Sequence, residues 1–131
     1  MNVKKYVMSV DILSRIVNTK YIDYKLNMEL KNGAPQKLLD YIVDVTIDNV
    51  EFNSSKHQDE YGVQTNYIAM VRYFVYINGQ RLGNLKYENI VLNLDNIINK
   101  PVSYKTAQSV ENDIVDKLQI EIINNIYKGE N

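Results

Sequence analysis

Gln64–Asn93 reads QTNYIAMVRYFVYINGQRLGNLKYENIVLN, two alternating runs on either side of Asn78-Gly79. Asn-Gly between such runs is the strongest short-range hairpin signal, because a type I′ turn needs positive φ at both central residues, which Asn and Gly tolerate. Counting outward predicts Ile77 opposite Gln80, Val75 opposite Leu82, Tyr73 opposite Asn84, Val71 opposite Lys86, Ala69 opposite Glu88 and Tyr67 opposite Ile90. A two-stranded ribbon is marginal by itself. Further strands and a helical cover must come from the rest of the chain.

Upstream, Val3–Leu13 holds Tyr6, Val7, Met8, Val10, Ile12 and Leu13 and reads as a first strand. Asn18 or Thr19 then caps a helix over Lys20–Lys31, in which Ile22, Leu26 and Leu30 recur on one side; Asn32-Gly33 and Pro35 close it. Asp40–Phe52 alternates, with Tyr41, Val43, Val45 and Ile47 on one face and Asp44, Thr46 and Asp48 on the other. After Asn49 the apolar residues move to even positions, Val50 and Phe52, which predicts a bulge. Asn53–Tyr61, NSSKHQDEY, is polar before its tyrosine and predicts a loop closed by Gly62.

Downstream, the last strand ends near Leu92 or Leu94, and Ser103 caps a final helix after Pro101. That helix carries the stripe Ala107, Val110, Ile114, Leu118, Ile122 and Ile126, and its tail from Lys128 is expected to fray. The order strand, helix, strand, strand, strand, helix predicts an α+β fold. Its natural form is a two-layer sandwich: a four-stranded, mainly antiparallel sheet with two helices on one face. Asp44, Thr46 and Asp48 then lie on the uncovered face, available to water or to a partner.

The 131 residues suit one domain spanning 1–131. Fifteen basic and sixteen acidic side chains leave a formal charge of −1, which argues against a general nucleic-acid binder, whose affinity comes from neutralising phosphates. The chain has no cysteine, hence neither a disulfide framework nor a thiolate metal site. No run approaches the apolar length of a membrane span. Met1–Val10 has no apolar h-region, so no signal peptide is read there; a cytosolic protein and a mature domain after a removed leader both fit. Eleven tyrosines against two phenylalanines fit strand preference or a tyrosine-lined recognition surface.

A search for chemistry finds no Gly-rich phosphate loop, nucleophile elbow or His-Glu-x-x-His. The single histidine, His57, lies in the polar loop without a histidine or cysteine partner. Asp44 and Asp48 share a strand face but stand roughly 13 Å apart, too far for one cation or a catalytic carboxylate pair. The counted register sets Arg72 opposite Leu85 and Lys86 opposite Val71, on opposite faces, so they form no anion clamp. These features favour a non-enzymatic protein with no cofactor.

The succession of segments resembles the LptE family of lipopolysaccharide-assembly lipoproteins, in its alphaproteobacterial forms. The residues carrying it are Tyr41–Ile47 ending near Glu51-Phe52, the polar loop, Gly62–Tyr67 leading into an alternating strand, and the turn Ile77–Gly83. The closing helix, Tyr104–Gln108 through Asp113-Ile114-Val115-Asp116-Lys117-Leu118, is similar to that family's last helix, with lysine at Lys117 where the family often has arginine. The resemblance implies a periplasmic protein tethered to the inner leaflet of the outer membrane by a lipid anchor lying outside this sequence. There it would plug the LptD β-barrel and assist its assembly, with affinity for lipopolysaccharide. Glu60 stands where a positive charge is expected, and Lys56 and Lys100 are the nearest replacements for lipopolysaccharide contact. The other expected contacts are Asp44, Thr46 and Asp48, since a barrel lumen is polar. The alternative is a cytosolic or phage-encoded α+β interaction module or inhibitor that uses the tyrosine-rich hairpin.

Overall fold

The structure, a computed structural model, describes residues 6–32 and 41–130, with side chains as far as Ile126. Seven elements follow in order: α1 (Val10–Ile16), α2 (Thr19–Asn32), β1 (Val43–Asp59), β2 (Gly62–Ile77), β3 (Gln80–Arg81), β4 (Lys86–Leu92) and α3 (Tyr104–Glu130). The architecture is α+β, a four-stranded antiparallel sheet with helices on one side. β2 is central: it pairs with β1 along one edge and with β3 and β4 along the other.

The Asn78-Gly79 turn is where the sequence predicts it. Asn78 has φ 52° and Gly79 φ 81°, the left-handed pair a type I′ turn requires. Ile77 pairs with Gln80 as counted, and the Leu82 N–H donates to the Val75 carbonyl at 2.7 Å. Past Leu82 the counted register fails. Gly83, at φ 71°, lets the chain leave the ladder, and it rejoins two residues later with Tyr73 opposite Lys86, Val71 opposite Glu88, Ala69 opposite Ile90 and Tyr67 opposite Leu92. A slip of two keeps every side chain on its predicted face, because strand side chains alternate with period two. Arg72 thus lies opposite Tyr87 instead of Leu85, still on the face away from Lys86.

Two further expectations are corrected. The strand over Val3–Leu13 is instead a short extended piece followed by α1; residues before Tyr6 lie outside the described residues. Val7 bridges Pro101, and Met8 exchanges backbone hydrogen bonds with Asn99 and Lys100, pinning this piece to the turn before α3. At Ser9 the chain turns helical: the Ser9 hydroxyl accepts from the Ile12 N–H at 3.2 Å, Asp11 lies in the first turn and Arg15 in the last, complementing the helix dipole. Among the described residues the helices therefore number three.

The loop over Asn53–Tyr61 is also replaced. β1 continues to Asp59 and pairs residue for residue with β2 from Gly62, so the polar segment forms one arm of a long hairpin. Its residues are polar because none of the described helices covers this end, not because the chain is irregular; Asn53 through Gln64 are all exposed. The predicted parity change is present, with the register shifting between Ile47 and Asn49 so that Asp48 is the extra, bulged residue. The helix stop at Gly33 and Pro35 lies outside the described residues.

One core cluster joins both layers. Ile22, Leu26 and Leu30 of α2, Leu13 of α1 and Val110, Ile114, Leu118, Ile122 and Ile126 of α3 pack on Val45, Ile47, Val50, Phe52, Ala69, Val71, Tyr73, Val75, Ile90 and Leu92. Both predicted helical stripes are buried as expected. α3 extends through Glu130, past the point where fraying is predicted.

Candidate protein-binding surfaces

The uncovered sheet face carries the alternates of the core positions. β1 contributes Asp44 opposite Tyr76, Thr46 opposite Phe74, Asn49 opposite Arg72 and Glu51 opposite Met70. β4 adds Tyr87, Asn89 and Val91 beside Arg72, Met70 and Ile68. The middle of this face is less polar than the sequence reading of β1 implies. Ile68, Met70, Phe74 and Tyr76 form a half-buried apolar stripe along β2, flanked by Asp44, Thr46 and Glu51 on one side. Arg72 interrupts the stripe and pairs with the bulged Asp48 at 3.0 Å, while the Arg81 guanidinium stands 5.1 Å from the Phe74 ring centroid.

Of the five expected contact residues, Asp44, Thr46 and Asp48 lie together on this face and are exposed. Lys56 and Lys100 do not join them. Lys56 is in the projecting arm opposite Thr65, at a position whose parity matches Phe52 and hence the helical side of the sheet. Lys100 is in the turn before α3, where its carbonyl accepts from the Met8 N–H at 2.7 Å. His57, in the arm, lies 3.3 Å from the Asn66 amide across the hairpin.

The two sheet edges differ. Along β1, the Asn27 side chain of α2 acts as a surrogate strand: its Oδ1 accepts from the Val45 N–H at 2.7 Å and its Nδ2 donates to the Val45 carbonyl at 2.8 Å. Asp23 accepts from the Ile47 N–H at 3.0 Å, and Ser14 of α1 accepts from the Phe52 N–H at 3.3 Å. Side chains thus satisfy four outward backbone groups between Val45 and Phe52 that would otherwise be open to another strand. A cleft of about 540 Å³ between α2 and β1 is lined by Asp23, Tyr24, Asn27, Met28 and Asp44, but its central polar groups are already engaged in this clamp. On β4, among the described residues, only the Val91 carbonyl has an outer partner, the Lys117 ammonium at 2.9 Å.

Among the described residues one carboxylate is buried. Glu111 of α3 is 5% exposed and accepts from the Asn18 N–H at 2.6 Å, while Asn18 caps α2 through Oδ1 to the Tyr21 N–H. In a capping box the acid that reaches back to the cap N–H comes from the same helix; here α3 supplies it, tying two helices together. Burial raises the Glu111 pKa, and the Asn18 hydrogen bond opposes this. The Tyr21 hydroxyl donates to Asn112 at 2.8 Å and completes the latch. Every polar contact here is internal, so Glu111 reads as a structural group.

Sequence reasoning missed the Asn27 clamp, the Glu111 latch and the Asp48–Arg72 pair. Only Asp48–Arg72 had a legible signal, since the parity change at Asn49 marks Asp48 as the displaced residue. No family model matches the chain, and neither a curated protein nor a solved structure is significantly similar to it.

Proposed function

We propose that the protein acts by binding another protein through the uncovered sheet face, without performing chemistry. The observation that carries this reading is the stripe Ile68, Met70, Phe74 and Tyr76, half-buried, covered by none of the described helices and edged on the β1 side by Asp44, Thr46 and Glu51. An apolar, aromatic centre inside a polar rim is the anatomy of a protein interface. The projecting arm, tipped by exposed Tyr61 and Val63, extends the contact surface beyond the covered part of the sheet.

The specific partner proposed from the sequence resemblance is an LptD-type barrel, with lipopolysaccharide as cargo and an outer-membrane, periplasmic location. Support for it comes from the segment succession and from Asp44, Thr46 and Asp48 lying together on the open face. The strand arm in place of the polar loop that carried part of the resemblance, and Lys56 on the other side of the sheet, give it no help. The same face fits a cytosolic or phage-encoded interaction module, for which Phe74, Tyr76 and Tyr87 would be the aromatic anchors.

Co-expression with the LptD-type barrel of the source organism tests the specific form. Co-purification of the wild-type chain, lost at least tenfold in Met70→Glu with an unchanged circular dichroism spectrum, supports it. Absence of any association eliminates the plug. If Met70→Glu leaves every association of the wild-type chain intact, the open face is not the binding surface.

A further inference from the structure

We propose that a second copy of this chain pairs antiparallel with the free edge of β4, about a two-fold axis at Asn89. This contact uses a strand edge instead of the sheet face and stands independently of what that face binds. The Val91 carbonyl points outward, because Lys117 reaches it from outside the sheet. In an antiparallel strand both backbone groups of a residue point the same way, so Tyr87, Asn89 and Val91 all present donors and acceptors to the free side.

A two-fold axis at Asn89 sets these three residues in mutual register. Tyr87 meets Val91 of the second copy, Asn89 meets Asn89, and each facing pair exchanges two backbone hydrogen bonds. The Val91 carbonyl can keep Lys117 and accept from the second copy as well, since it has two lone pairs. On the open face the pairing brings aromatic against β-branched side chains, a favourable cross-strand combination. Tyr87 and Val91 are 67% and 64% exposed, and Ile120 of α3, lining the groove beside this edge, is 59% exposed.

Charge is complementary under the same axis. Lys117, which also pairs with Asp113 of its own helix at 3.2 Å, lies at the Val91 end of the strand, while Glu88, held by the Asn125 amide at 3.3 Å, lies at the Tyr87 end. Antiparallel pairing sets each lysine against the other copy's acidic end. The contrast with β1 adds weight: there Asn27, Asp23 and Ser14 close the edge between Val45 and Phe52, whereas the β4 edge receives only Lys117 from α3 and is flanked by exposed Tyr87, Val91 and Ile120.

Sedimentation of the full chain across a wide concentration range, with a cysteine scan, tests the inference. The expected species has twice the 15.3 kDa of one chain. No native cysteine competes, so Asn89→Cys places two thiols across the axis, at the roughly 5.5 Å Cα spacing of a hydrogen-bonded pair, which a disulfide spans. Oxidation should crosslink Asn89→Cys and not Tyr87→Cys, whose two copies are separated by roughly 13 Å along the strand. Asn89→Pro, which removes an outward N–H that the monomer leaves free, should abolish the dimer. If that variant does not fold, Tyr87→Lys combined with Val91→Lys should abolish it instead. A monomer at every concentration with no Asn89→Cys crosslink overturns the proposal. So does preferential crosslinking of Tyr87→Cys, or a dimer indifferent to the folded edge variant.

Discussion

Replacing Asn27 by leucine tests whether a side chain can stand in for a neighbouring strand. The substitution keeps the branched shape and the number of side-chain heavy atoms and removes both contacts with Val45, whose N–H and carbonyl lie 2.7 and 2.8 Å from the Asn27 amide. Each net hydrogen bond is worth about 1 kcal/mol, and a backbone group left without a partner costs about 1–3 kcal/mol. Val45 is buried, but Asn27 is only half-buried, so water recovers part of that cost. The expected loss is about 2–4 kcal/mol, a fall in Tm of roughly 10 °C for a domain of this size. Urea denaturation followed by circular dichroism measures it, with the slope of the transition unchanged. Light scattering should also show self-association through the unmasked β1 edge. A loss below about 0.5 kcal/mol would refute the reasoning, because an apolar side chain of the same branched shape would then serve as well as the clamp.

Glu111 sets a pH dependence. Its folded-state pKa is raised above the ordinary 4.5, so the folded chain holds that proton more tightly than the unfolded chain does. The contribution to stability is present below the unfolded value and is lost as pH rises through the raised one. Glu111→Gln keeps an oxygen for the Asn18 N–H and should remove this component from a stability-versus-pH series, whereas Glu111→Ala removes the component and the hydrogen bond together and should cost about 1–3 kcal/mol at low pH, where the contribution of Glu111 is fully present. Tyr73 is fully buried, and its hydroxyl has no hydrogen-bond partner within good geometry. Burial, reinforced by the nearby Glu88, pushes its pKa from 10.0 up to about 12. Ultraviolet titration of wild type against Tyr73→Phe should therefore show one tyrosine ionising only near that pH. Because deleting an unpaired hydroxyl removes a desolvation cost, Tyr73→Phe should be neutral or stabilising by up to about 1 kcal/mol in thermal denaturation.

Local chemistry made several elements legible. Asn78-Gly79 dictates its own backbone conformation, so the hairpin turn and its first pairs could be counted without knowing anything distant. The stripes of α2 and α3 are equally self-declaring, because a repeat of three or four residues selects one helix face whatever covers it. The parity change at Asn49 foretold the bulge for the same reason. Val10–Ile16 was misread as strand because seven residues with mixed apolar spacing satisfy both periods, and the decision fell to the Ser9 cap and to packing of Leu13.

The candidate surfaces divide in the same way. That Asp44, Thr46 and Asp48 share a face follows from alternation and the displaced residue that ends it. That β2 sets Ile68, Met70, Phe74 and Tyr76 beside them required the pairing itself. The two-residue slip after Leu82, the ladder that turns Asn53–Asp59 into a strand, the Asn27 clamp on Val45 and the Glu111 reach to Asn18 all join residues far apart in the chain. Sequence alone determined which stretches bend, which coil and which side each residue takes, since those depend on neighbours within a few positions. Only the tertiary structure decided which edge is closed and which is open, because an unpaired N–H is satisfied by whatever the fold carries to it.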